Sequence, residues 1–166
     1  MAKKKEEKTN VMRILEQKKI PYTKREYVDE EGPMGTREYG LHVAQALGQD
    51  PAQVFKTLVA RGASKEIHVY EIPVAESLDL KKAAKAVGEK SIELLHVSEI
   101  QAVTGYVRGG CTPIGMKKQF STVFQSSVEG FETVFISGGK IGVQLELPVK
   151  ELLALTKGSC ADIIVE

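Results

Sequence analysis

No run of apolar residues in this 166-residue chain approaches the roughly 20 needed to cross a bilayer, which argues against a helical membrane span. Cysteine is scarce too. Cys111 and Cys160 are too few for a disulfide framework, and nothing argues for export. The charged opening segment has no apolar stretch behind it, so a secretory signal is not expected and the cytoplasm is the expected compartment. An excess of charge of one sign is also missing. With 23 basic and 22 acidic residues the net charge is +1, which leaves no broad basic footprint for tracking phosphates. The short lysine clusters at 3–5, 18–19, 81–85 and 117–118 read as solvated faces. Any contact with nucleic acid should be small or helped by a partner.

Motifs for metals and nucleotides are absent as well. His42, His68 and His96 fall in three different elements, none with a ligand partner at i+3 or i+4, so no metal is expected. Nothing matches G-x-x-x-x-G-K-[ST], and no G-x-G-x-x-G stands between a strand and a helix, so no nucleotide cofactor is expected either.

What is present suits a single soluble domain: 42% hydrophobic and 27% charged residues, without repeats, low complexity or a linker. Residues 1–10 read as a flexible tail and 11–166 as the domain. Val11, Ile14 and Leu15 recur at helical spacing from an N-cap at Asn10 to about Lys19. Residues 21–28 read as a strand and 29–35 as an acidic turn-rich loop. Thr36 caps a second helix, which Gly48 ends. Asp50, Pro51 and Gln53 have the form of a capping box that delivers residues 55–59 into a strand. Residues 66–74 pair with that strand. Leu80, Ala83, Ala84 and Val87 mark a helix closed by Gly88. Ser98 with Gln101 forms another capping box, opening a helix that ends at Gly105. Residues 131–137 and 141–147 read as a hairpin turning at Gly138-Gly139. A helix over 148–157 and a strand over 161–165 complete the chain. Two hairpins among alternating helices argue against a purely parallel sheet. The expected class is α+β, one domain with a mixed, curved, partly barrel-like sheet surrounded by helices.

The chemistry centres on residues 105–115, Gly-Tyr-Val-Arg-Gly-Gly-Cys-Thr-Pro-Ile-Gly. Four glycines and a proline there let backbone approach a ligand, and paired glycines can aim successive N–H groups at an anion or a developing oxyanion. A plain glycine-rich connection is the alternative. Lys56 stands where a capped turn enters an apolar strand. It is either a half-desolvated ammonium of perturbable chemistry or a lysine snorkelling its stem over the sheet. Ser137 either presents a hydroxyl at a strand end or serves the turn. Cys111 with His96 upstream would suit a Cys–His hydrolase, but lone cysteines are usually small buried hydrophobes and no protease signature accompanies it.

Val54-Phe55-Lys56-Thr57-Leu58, residues 105–115 and Val134-Phe135-Ile136-Ser137-Gly138-Gly139-Lys140 together resemble the signatures of the YbaK/EbsC family, which also occurs as the editing domain of bacterial prolyl-tRNA synthetases. Residues 78–83 are similar to a fourth segment of that family, and the resemblance spans about residues 11–165. It implies a free-standing trans-editing deacylase that cleaves the ester of mischarged tRNA, foremost Cys-tRNA(Pro) and also Cys-tRNA(Cys). The need is physical, since a prolyl pocket gains only about 1–3 kcal/mol of discrimination from small size differences.

The family's functional residues map onto Lys56, Gly109 and Gly110 as catalytic groups, and onto Tyr27, Tyr39, Thr57, Thr112, Ser137 and Gly138 as substrate-binding ones. Lys56 would position the charged tRNA end, and N–H groups around Gly109-Gly110 would hold the acyl oxygen. The resemblance further implies attack by the substrate's own thiol, no metal or cofactor, the aminoacyl-tRNA acceptor end as ligand and prolyl-tRNA synthetase as a partner. Two departures stand out. Close relatives carry Lys-Arg-Gly followed by an acidic residue where this chain has Lys140-Ile141-Gly142-Val143-Gln144, and Cys111 replaces an apolar residue. They keep open an alanyl- or seryl-tRNA editor and a non-catalytic binding or regulatory protein of the same fold.

Overall fold

In the computed structural model, described over residues 8–27 and 37–166 (side chains of the second segment from residue 41), helices and hairpins alternate to build two sheets. The elements are α1 (Asn10–Gln17), β1 (Thr23–Glu26), α2 (Arg37–Ala46), β2 (Phe55–Gly62), β3 (Ile67–Pro73), α3 (Leu80–Ala86), β4 (Ile92–Leu94), α4 (Val97–Thr104), β5 (Ser121–Gln125), a 3-10 turn (Ser126–Gly130), β6 (Thr133–Ser137), β7 (Val143–Pro148), α5 (Val149–Thr156) and β8 (Ser159–Ala161). One sheet has the order β1-β7-β6, and the other the order β4-β2-β3-β5-β8.

The smaller sheet is antiparallel throughout, while β5 runs parallel to both β3 and β8 in the larger one. The class is therefore α+β with a mixed larger sheet, as expected. The described strands form two open sheets rather than one closed wall. They meet at a parallel bridge between Val54 and Phe135, reinforced by Phe135 N–H donating to the Gln53 carbonyl at 3.1 Å.

Local chemistry explains the elements and several boundary shifts. α1 is capped by Thr9, whose hydroxyl accepts from Met12 N–H at 3.3 Å, one residue before the expected Asn10. The face carrying Val11, Met12 and Leu15 is buried. Asp79 caps α3 by accepting from the Lys81 and Lys82 N–H groups, both at 3.0 Å. The small Ala83 and Ala84 let this helix sit close on the sheet, where the Tyr70 hydroxyl donates to the Ala83 carbonyl at 2.9 Å.

The expected capping box at Ser98 is replaced by a start at Val97, with His96 in the cap position and no side-chain bond there. Asp50 and Pro51 open a tight turn rather than a helix. Asp50 accepts from Ala52 N–H, while the Gln53 side chain reaches across to the Thr133 carbonyl at 2.8 Å. Ile141 lies in the β6–β7 turn instead of in β7, and the final strand is Ser159–Ala161, with Ile164 making only an isolated bridge to Leu78. The acidic loop over 29–35 and the Thr36 cap lie outside the described residues.

The main core gathers α1, α5 and the small sheet against Phe124, Tyr106 and Ile114. Leu15, Leu145 and Leu152 are fully buried there, each contributing about 1.5–3 kcal/mol of hydrophobic transfer. A second cluster packs α3 on the large sheet, and a smaller one joins Ala44 of α2 to Val54, Val74 and Phe135. That third cluster lies at the junction of the two sheets.

Candidate active site

A cavity of about 430 Å³ opens at this junction. β2 supplies Phe55, Lys56, Thr57 and Val59 to its wall, β6 supplies Ser137, the 105–115 loop supplies Arg108, Gly109 and Cys111, and the end of β1 supplies Tyr27. The volume falls in the range typical of small-molecule sites.

Stitching between the sheets brings these segments together. β2 is registered on β3 with Lys56 opposite Ile72, and its first residues are tied to β6 through the Val54–Phe135 bridge. Lys56 is half-buried, and its ammonium donates to the Val74 carbonyl at 3.3 Å. That contact holds the charged end at the mouth of the β2–β3 pair.

The glycine loop is held by its own residues. Tyr106 is buried and its hydroxyl donates to the Ile114 carbonyl, closing the loop across eight positions. The Thr104 hydroxyl accepts from Tyr106 N–H at 3.1 Å. Gly109 has φ +90°, a conformation that L side chains rarely adopt. At Gly110 a Cβ would stand 3.1 Å from backbone atoms of both Lys140 and Ile141, so glycine lets the loop lie on the β6–β7 turn without a backbone shift of a few tenths of an ångström. In that turn Gly138 N–H donates to the Val143 carbonyl at 2.8 Å, and Gly139 N–H donates to the Ser137 hydroxyl at 3.2 Å.

The residues singled out in the sequence therefore divide. Lys56, Thr57, Gly109, Ser137 and Tyr27 share one cavity. Gly110, Thr112 and Gly138 are not among its lining residues. Gly110 N–H donates to the Val107 carbonyl at 3.0 Å, so it closes a turn and is not available to an acyl oxygen. Thr112 is fully buried, and its hydroxyl has no hydrogen-bond partner among the described residues. Gly138 serves the close approach of β6 to Val143. Tyr39 belongs to α2, and its side chain lies outside the described residues.

Of the other lining residues, Arg108 was not picked out from the sequence as part of a site, whereas His96 and Cys111, weighed there as a Cys–His pair, both line the cavity. Arg108 and His96 face the cavity beside Lys56, and no carboxylate occurs among its described lining residues. Two basic side chains, Lys56 and Arg108, thus line the cavity of a chain that carries only +1 overall. Gln144 pairs with Gln49 through two reciprocal amide bonds of 2.6 and 2.9 Å, which fix the side chain that stands where an acidic residue was noted in relatives. Neither partner had a signal in local spacing, because the pair spans 95 positions.

Cys111 lines the cavity with its thiol pushed up to about 12, mainly by burial and further by the charge of Glu71. It is a neutral thiol at physiological pH, and a poor nucleophile. Glu71 is itself fully buried in β3, and burial raises its carboxyl well above the ordinary value. At the opposite end of the β2–β3 hairpin, Glu66, His68 and Glu89 bring their ligand atoms within 4.8 Å of one another. Tertiary packing built this group, which sequence spacing did not reveal. Glu89 pairs with His68 Nε2 at 2.7 Å and accepts from both the N–H and the hydroxyl of Ser64, latching the hairpin to the segment after α3.

The chain is similar in sequence and in fold to several known proteins. A protein of Enterococcus faecalis V583 named as a candidate Cys-tRNA(Pro)/Cys-tRNA(Cys) deacylase, EbsC, is 44% identical over 164 residues, covering 98% of each chain. A solved structure described as a candidate trans-editing enzyme for prolyl tRNA synthetase is 26% identical, with a TM-score of 0.74 over 87% of each chain. The crystal structure of hypothetical protein APE2540 shares the fold at a TM-score of 0.80, with 21% identity over 93% of this chain and 99% of its own. Residues 41–155 match the aminoacyl-tRNA editing domain, and the chain belongs to that family.

Proposed function

We propose that this protein is a trans-editing deacylase that cleaves the aminoacyl ester of mischarged tRNA, with Cys-tRNA(Pro) as its first substrate and Cys-tRNA(Cys) as its second. The observation that carries the reading is the convergence of Lys56, Gly109 and Ser137 on one cavity in a chain of the editing family. The basic side chains of Lys56 and Arg108 in the lining suit the terminal phosphates of a tRNA acceptor end. In this reading Lys56 orients that end, and Gly109 N–H donates to the ester oxygen as negative charge grows on it. Tyr27, Thr57 and Ser137 shape the space around the terminal adenosine and the amino acid. Tyr39 is assigned a substrate-binding role from the family resemblance alone.

The chemistry needs no protein nucleophile. The substrate cysteine's sulfur attacks its own carbonyl carbon, the bond from that carbon to the ribose oxygen breaks, and the freed oxygen takes up the proton that the thiol releases. Holding sulfur and carbonyl at reacting distance is the main catalytic contribution. The protonated Cys111 thiol, a poor nucleophile, supports this route.

With a net charge of +1, the grip on the tRNA body falls to a partner, for which prolyl-tRNA synthetase is our assignment. Incubating the purified protein with cysteinyl-, alanyl- and seryl-tRNA(Pro) tests the reading. Selective loss of the cysteinyl ester supports it, loss of another ester redirects the substrate, and no turnover of any ester makes the protein a binding module.

A further inference from the structure

We propose that Glu71 is a positioning residue: from behind the cavity wall, its carboxyl sets whether the Thr57 hydroxyl donates or accepts a hydrogen bond toward the aminoacyl ester. The inference rests on the deacylase reading above.

Its basis is register. Thr57 of β2 lies directly opposite Glu71 of β3, and Glu71 lies opposite Phe124 of β5, so the three side chains form one row on the same face. Thr57 lines the cavity, whereas Glu71 has no exposed surface. Neither Glu71 oxygen has a hydrogen-bond partner of regular geometry among the described residues. The Thr57 hydroxyl still favours its charged form, which makes their contact close but imperfectly aligned. Phe124, fully buried, offers the carboxyl nothing polar. The titratable group facing it from the glycine loop is the neutral Cys111 thiol. A buried carboxyl left this poorly satisfied beside a ligand cavity is costly to keep for packing alone.

The two charge states give Thr57 opposite roles. A protonated carboxyl has one O–H to donate, and given to Thr57 Oγ1 it leaves the threonine hydrogen free to point into the cavity at the ester carbonyl. An ionised carboxylate only accepts. It takes the threonine hydrogen for itself, and the cavity is then offered lone pairs instead of a donor. Burial favours the protonated state, and with it the donor.

The test is the pH–rate profile of Cys-tRNA(Pro) deacylation, corrected for uncatalysed hydrolysis, for wild type, Glu71→Gln, Thr57→Val and the double variant. The wild type should lose about tenfold in kcat on its alkaline limb, the effect of one hydrogen bond to the transition state. Glu71→Gln, which keeps an N–H donor at every pH, should flatten that limb. In the Thr57→Val background, glutamate and glutamine should give the same profile. If Glu71→Gln does not fold, a Thr57→Val limb as steep as that of wild type overturns the proposal. Identical limbs in wild type and Glu71→Gln, or a Glu71 effect that persists without the threonine hydroxyl, also overturn it. A wild type that deacylates nothing overturns the functional reading itself, and the two failures are thereby distinct.

Discussion

Replacing Glu71 by glutamine removes the one carboxyl among the described residues that is fully buried with neither oxygen in a regular hydrogen bond, and the stability effect has a definite sign. In the unfolded chain this group loses its proton near 4.5, while burial holds the proton on to higher pH in the fold. Between those two values the unfolded state binds fewer protons, so stability falls as pH rises. The slope is about 1.4 kcal/mol per pH unit, reached between the two values and absent below the lower one. Glutamine does not titrate and abolishes the term. The stability of Glu71→Gln minus that of wild type should therefore rise by that amount per unit above about pH 5, until the folded-state group ionises. Carboxylates such as Glu89 and Asp162, whose pKa values are lowered by their partners, follow the opposite trend but cancel in the difference. Urea unfolding of both proteins at pH 5, 6 and 7 measures it. With an m-value of about 2 kcal/mol/M, each unit should separate the midpoints by roughly 0.7 M. Parallel midpoints across this range would refute the claim that Glu71 is buried as a neutral acid.

Cys111→Ser should retain deacylation, since the thiol at about 12 is not the attacking group, and alkylation of Cys111 at pH 8 should lag a free cysteine by on the order of a thousandfold. An inactive serine variant would restore the thiol hydrolase. Gln49→Leu should destabilise the fold by about 1–3 kcal/mol by leaving the buried Gln144 amide unpaired, and Gln49→Leu with Gln144→Leu should recover much of that loss in urea melts. Gly110→Ala should push the glycine loop off the β6–β7 turn, costing about 1–3 kcal/mol and lowering kcat together with stability, because the clash is with backbone of Lys140 and Ile141.

The parts of the fold legible in the sequence were those encoded locally. The β2–β3 and β6–β7 pairs announced themselves through β-branched runs flanking short turns, and α3 through Leu80, Ala83, Ala84 and Val87, although its Asp79 cap was not read. Short elements with few apolar residues were missed. β4 has three residues of which only Ile92 is buried, and its place in the sheet comes from pairing with residues 60–62. β5 escaped because its neighbours, β3 and β8, lie far away in the chain and are joined to it in parallel.

The site divided in the same way. Lys56, the glycine loop and Ser137 stood out because each sits in a motif. Glu71 looks like an ordinary polar position of an alternating strand, and only tertiary packing reveals that its face is the inner one. His96 was weighed only as a partner of Cys111 and Arg108 only as part of the glycine stretch, because no local pattern specifies that both line the cavity with Lys56. Gly110 was legible as a needed glycine but not as one whose N–H is committed to Val107.

The central claim, that an ammonium and a main-chain donor in one cavity orient an acylated tRNA end, is tested most directly at Lys56. Single-turnover deacylation of Cys-tRNA(Pro) should fall by about a hundredfold or more in Lys56→Ala, with the circular dichroism and urea midpoint close to wild type. A Lys56→Ala protein that deacylates at the wild-type rate would contradict it.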